Sequence, residues 1–182
     1  MIEPRTYEGS PYSRYVFNTT KFSILWLVIR LYVGVLWIEA GIEKVINPAW
    51  TGDAAGAAVT GFVNGALQKT GGAHPDVQGW YAAFLEGFVL PNAGAFGYVI
   101  AWGELFVGIA LVLGILTGIA AFFGAFMNMS FLLAGTVSIN PEMLFLSILL
   151  ILSWRVAGYI GLDKYVVPKM GVSWQSGHIF RR

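Results

Sequence analysis

The chain has 182 residues, 57% of them hydrophobic and 12% charged, with a formal net charge of +1 and no cysteine. A soluble domain carries roughly a quarter charged residues, so much of this surface faces something other than water, and the mean hydropathy of +0.67 agrees. The near-zero net charge leaves a nucleic-acid partner no electrostatic basis. The missing thiols exclude disulfides, iron–sulfur clusters, thiolate zinc sites and thioether-bound haem.

Residues 1–21 read as a polar tail with Arg5, Arg14 and Lys21. The first apolar run covers 22–46, about 25 residues, which exceeds the h-region of a signal peptide. It ends in Glu43-Lys44 and Asn47-Pro48 with no cleavage site, so it reads as a retained helix long enough to cross a bilayer. Residues 47–92 form a Gly- and Ala-rich loop that should hold two helices of its own. Thr51 or Asp53 can cap the first, running to about Lys69 with Ala58, Phe62 and Ala66 on one stripe; Pro75-Asp76 can open the second, ended by Pro91. The aromatic content of the second (Trp80, Tyr81, Phe84, Phe88) suits a membrane interface. Three further apolar runs follow at 93–115, 118–138 and 142–160, joined by links too short for anything but antiparallel neighbours. Residues 161–182 form a second tail.

The fold expected is therefore all-α: an integral membrane, antiparallel four-helix bundle with a helical cap between its first two helices. Arg5, Arg14 and Lys21 before the first span, and Lys164, Lys169, Arg181 and Arg182 after the last, place both ends in the cytoplasm by the positive-inside rule and the cap outside. The expected location is the plasma membrane.

Ionisable side chains in hydrocarbon cost about 2.5–3.5 kcal/mol on insertion scales, so each needs a reason. Arg30, Glu39, Glu43, Glu104 and Arg155 stand within the runs, with Lys44 at an edge. At 100° per residue, Arg30, Gly34, Trp37, Gly41 and Lys44 share one stripe of the first helix. Glu39 lies on the opposite side with Tyr32, Val35 and Glu43. Rise per residue puts Glu39, Glu104 and Asn128 at a common depth. Arg155 reads as a snorkelling residue, Glu43 and Lys44 as an interfacial pair, and Asn128 as an interhelical hydrogen-bonding residue. Arg30 and Glu104 form either a register-fixing ion pair or part of a polar pocket. In the pocket reading Glu104 and Glu39 are the proton-handling groups, and Arg30, Lys44, Trp37 and Asn128 bind a polar head group. His74 and His178 have no second ligand at metal-binding spacing.

The stretches Arg30-Leu-Tyr-Val-Gly34 and Gly41-Ile-Glu-Lys44-Val resemble the opening helix of the DoxX-like family of four-helix membrane proteins. Glu104-Leu-Phe-Val-Gly108 through Leu113-Gly114-Ile-Leu-Thr117 is similar to that family's second helix and turn, and Gly158-Tyr-Ile-Gly161-Leu-Asp163 to its ending. The resemblance covers about residues 25–165, and the long aromatic loop is similar to the DoxD branch, the membrane subunit of thiosulfate:quinone oxidoreductase. It implies a membrane component tied to quinone-dependent electron transfer, with Arg30, Lys44, Glu104 and Asp163 as characteristic positions. Quinone or quinol is then the implied ligand, with no covalently bound cofactor, and the implied partners are the bilayer and other membrane subunits of a respiratory complex.

Three functions compete at this point. A quinone-reactive subunit needs a lipid-facing apolar slot, a donor such as Arg30 or Lys44, and an acceptor such as Glu39 or Glu104. A scaffolding subunit needs the buried charges only to hold the helices. A permease or receptor also buries charge, but no inverted repeat is visible.

Overall fold

The computed structural model describes residues 10–171, and every regular element among them is helical. Arg5, His178, Arg181 and Arg182 lie outside the described residues.

The first element among the described residues is a helix that the reading of residues 1–21 as a tail omits, α1 (Pro11–Asn18). Ser10 caps it, accepting from the Tyr12 N–H, and Pro11 opens it with a preset φ. Its last turn packs on the next helix: Phe17 stacks on Trp26 with ring centroids 5.5 Å apart, and Trp26 Nε1 donates to the Val16 carbonyl at 3.1 Å. A 3-10 turn (Thr20–Phe22) leads into α2 (Ser23–Val45).

The cap holds three helices: α3 (Pro48–Thr51), α4 (Ala57–Leu67) and α5 (Gly79–Phe84). Neither Thr51 nor Asp53 caps α4; Gly56 precedes it at φ +97°, a conformation open to glycine, with no side-chain cap. The buried stripe of α4 is Val59, Val63 and Ala66, rotated from the Ala58, Phe62 and Ala66 face that periodicity suggested. α5 also begins later than Pro75-Asp76, and Pro91 does not end it. The chain stays helical through a π-helical turn (Leu85–Val89) and a 3-10 turn (Leu90–Asn92) into α6 (Ala93–Leu113). Proline lacks an N–H, so a straight helix here would leave a carbonyl unpaired. The chain passes the proline in a widened turn, in which the Leu90 N–H reaches the Leu85 carbonyl and the Asn92 amide donates to the Phe88 carbonyl at 2.8 Å.

Two helical stretches are long and apolar enough to cross a membrane, Thr20–Val45 and Gly79–Leu113. The remaining two expected spans are shorter apolar helices, α7 (Thr117–Leu133) and α8 (Asn140–Leu152), with 17 and 13 residues. α7 stops short of Ser138 because Gly135, at φ +71°, closes it: its N–H reaches the Leu132 carbonyl and the Thr136 N–H the Phe131 carbonyl. α8 breaks at Ser153, whose hydroxyl donates to the Leu149 carbonyl at 2.8 Å, before the short α9 (Trp154–Ala157). A last turn, α10 (Asp163–Val166), follows.

α2 packs along α6, α6 against α7, α7 against α8, and α8 with α9 back against α2. Trp26, Val33, Trp37, Leu111, Ala121 and Leu150 fill the middle, and a second apolar cluster around Val63, Val77, Tyr81 and Leu85 lies under the cap. The outward faces are apolar too: Phe106, Phe122, Phe126 and Phe145 are all at least half exposed. The α2–α6 contact depends on missing side chains. A Cβ on Gly108 would lie 2.6 Å from the Ile38 nitrogen, and one on Gly41 2.5 Å from the Leu105 nitrogen. Both neighbours are backbone and cannot swing away. Gly108→Ala is therefore expected to destabilise the protein by about 1–3 kcal/mol, the usual range for overpacking, read as an earlier thermal transition in detergent.

Candidate functional site

The buried charged residues among those described fall into two groups near opposite ends of the helices. At the end near α1, Arg30 is 1% exposed. Its Nη1 donates to the Ala157 carbonyl at 3.0 Å and Nη2 to the Ile160 carbonyl at 2.7 Å, so the guanidinium closes the end of the short α9 and the turn after it. It lies against Gly114 and Gly161, where any Cβ would overlap it. Asp163 completes the joint from the other side. Its carboxylate accepts from the Leu116 and Thr117 backbone N–H groups at 2.5 and 3.0 Å, capping the start of α7, and its own N–H donates to the Gly114 carbonyl at 2.8 Å. Burial lifts the Asp163 carboxyl above the ordinary aspartate range, while the N–H donors and the Arg30 charge pull the other way. Gly114 must take φ +65° to turn α6 into this joint.

The second group lies toward the cap. Glu104, on α6, is fully buried, and Lys44 Nζ approaches its Oε2 to 2.7 Å. Lys44 also donates to the Ala40 carbonyl at 3.4 Å and rests 5.3 Å from the centroid of the Trp50 ring. The expected Arg30–Glu104 pair is thus replaced by Lys44–Glu104. Glu104 lies ten residues before Gly114 on α6, roughly 15 Å along the axis from the guanidinium, beyond the reach of two side chains. The expected Glu43–Lys44 pair gives way to the same contact.

Glu39 is exposed on the outward face of α2 with Tyr32, Val35 and Ile42, away from Glu104. On that face the Tyr32 hydroxyl donates to Glu142 Oε1 at 2.9 Å. Arg155 is exposed and lies 4.6 Å over the Trp154 ring. Trp37 and Asn128 are buried in the interior, and so is Ser147 on α8. Sequence reasoning passes over Ser147 because a serine in an apolar helix reads as a small packing residue; its one signal is being the sole polar side chain between Met143 and Leu152. No group of three His, Cys, Asp or Glu side chains among the described residues is placed to hold a metal ion.

Beside the second group, α5, α6 and α7 enclose an apolar groove of about 690 Å³. Trp50, Trp80, Phe84, Phe106 and Phe126 line it, and Gly103, Val107 and Met127 form its inner wall. The Trp50 ring belongs both to this lining and to the Lys44 contact, so the groove and the ion pair adjoin.

The DoxX family model matches residues 25–136. The chain belongs to the DoxX family. The match takes in Arg30, Lys44, Glu104 and Asn128, while the Gly158 to Asp163 segment lies beyond it. Neither a curated protein nor a solved structure matches the chain. Membership in the DoxX family, together with two helices of spanning length, makes this a membrane protein.

Proposed function

We propose that this DoxX protein is a membrane subunit of quinone-dependent respiratory electron transfer, of the DoxD type, with the Lys44–Glu104 pair facing the quinone head group. In this reading α2, α6, α7 and the α8–α9 segment each cross the plasma membrane, the termini are cytoplasmic and the cap is outside. The short α7 and α8 are accommodated by local thinning of the bilayer, which costs fractions of a kcal/mol per Å.

The observation that carries the reading is the aromatic groove adjoining a buried cation–carboxylate pair. Its apolar volume suits an isoprenoid quinone, and few polar atoms interrupt it. Lys44 donates a hydrogen bond to a quinone oxygen. Oxidation of quinol to quinone releases two protons and two electrons; Glu104 accepts one proton and water takes the other. The electrons pass to a redox group on a partner subunit of the complex.

Quinones quench tryptophan fluorescence, and Trp50 and Trp80 line the groove. Titrating the purified protein with a short-chain quinone analogue should give saturable quenching. Gly103→Leu should weaken it about tenfold, or 1.4 kcal/mol. A Cβ at Gly103 meets only Met127 Sδ at an ordinary 3.7 Å, so the larger side chain fills the groove without disturbing the backbone. Non-saturable quenching, or an affinity untouched by Gly103→Leu, rejects the site.

A second reading, a non-catalytic scaffolding subunit, draws on Arg30, whose two hydrogen-bonded nitrogens are used to close helix ends. It predicts copurification with cofactor-bearing subunits in mild detergent and unchanged turnover of that complex when Glu104 is replaced by Gln.

A further inference from the structure

Among the described residues, Arg30 Nε and Thr117 Oγ1 are buried without a hydrogen-bond partner at the joint, and the other such atoms lie in one layer beside the Lys44–Glu104 pair. Trp37 Nε1, Glu104 Oε1, both amide atoms of Asn128 and Ser147 Oγ are buried without a hydrogen-bond partner. Their residues come from four different helices and are at most 2% exposed.

The helix registers bring them together. A Cβ on Gly124 of α7 would lie 3.0 Å from Trp37 Nε1 and 3.4 Å from Val107 of α6, so these three share a level. From there Asn128 is one turn onward on α7, and Glu104 is nearly one turn back on antiparallel α6. Both steps lead toward the cap. On α9, which carries on from α8 past Ser153, Trp154 lies opposite Gly118 of α7, with a Cβ on the glycine 3.0 Å from the Trp154 Cβ. Seven residues back along α8 and seven onward along α7 bring Ser147 opposite Ala125. The unpartnered atoms thus converge within about one helical turn, some 5 Å.

One turn toward the other end, the same four helices contribute Val33, Leu111, Ala121 and Leu150. All four are 0% exposed and form an apolar plate across the interior. On the cap side the layer meets Lys44, whose side chain is 21% exposed.

A buried polar group left unpaired costs about 1–3 kcal/mol, and five such atoms in one layer are tolerated only around a polar occupant. We propose that this layer is a hydrated chamber, entered from the cap side beside Lys44 and sealed toward the other end by the plate. Water bridges Trp37, Asn128 and Ser147 to Glu104. Where Glu104 takes a quinol proton, a step that rests on the function proposed above, that proton leaves on the cap side only.

The native chain has no cysteine, so single-cysteine variants report directly. A small, charged, membrane-impermeant thiol reagent is applied to intact cells and to inverted vesicles carrying the full-length protein. Ser147→Cys, a near-isosteric change, is expected to react at least tenfold faster than Ala121→Cys in the plate, and only from the side that bears the cap. Asn128→Cys, in the same layer, should follow Ser147→Cys and stands in for it if that variant fails to accumulate. Equal rates for layer and plate, or entry from the opposite side, overturn the chamber. The readout involves no quinone, so a failure here leaves the fluorescence titration of the groove standing, and the converse holds.

Discussion

Arg30→Met is expected to lower the apparent thermal transition in detergent by about 6–20 °C, one of two large effects traced to buried charge. The guanidinium bonds one carbonyl at the end of α9 and one in the turn after it, and its charge faces Asp163, which in turn caps α7. Removing it leaves those carbonyls unpaired in the interior and Asp163 without its cation. Breaking a buried charge pair from one side costs about 3–5 kcal/mol, and 1 kcal/mol moves the transition by about 2–4 °C in a chain of this size. Arg30→Lys should recover less than half of the loss, because a single ammonium cannot reach the Ala157 and Ile160 carbonyls with the fork geometry of arginine. Tryptophan fluorescence against temperature measures both variants. An Arg30→Met transition within 2 °C of the native protein contradicts the role given to the joint.

That joint also marks where sequence reasoning reached its limit. Hydropathy located the long apolar helices, since they depend on many residues at once and no single contact decides them. The cationic stripe of α2 was legible as well: Arg30, Trp37 and Gly41 all face the interior, as the 100° periodicity requires. Partners were not legible. Depth counted from segment ends leaves Arg30 about 10 Å from Glu104 along the helices, nearly within reach of two long side chains, but the ends themselves are displaced. Pro91 did not stop the helix before α6, and α7 and α8 ended early at Gly135 and Ser153. Each of those boundaries is set by one or two local hydrogen bonds, which composition does not encode. Glu39 shows the same weakness from another direction: its depth matched Glu104, while its azimuth placed it on the outside. The left-handed Gly56 start of α4 and the polar layer around Ser147 depend on tertiary neighbours alone.

Lys44→Met should destabilise the protein by about 3–5 kcal/mol, since it leaves the fully buried Glu104 carboxylate without its counter-charge. Glu104→Gln alone leaves the lysine partly exposed, where water compensates it, and is expected to cost less, about 1–2 kcal/mol. The double variant Lys44→Met with Glu104→Gln removes both charges and should recover most of the Lys44→Met loss. The resulting coupling energy of about 3 kcal/mol lies at the upper end of the range for residues in direct contact. Thermal unfolding of the four proteins closes the cycle, and additive losses would show that the 2.7 Å pair carries no coupling. The same cycle separates structure from chemistry. In the scaffolding reading the restored double variant supports the turnover of its complex as the native chain does. In the quinone reading it still quenches saturably with a quinone analogue, because the groove is untouched, yet fails to support quinol oxidation, because no carboxylate remains beside the groove to take the proton.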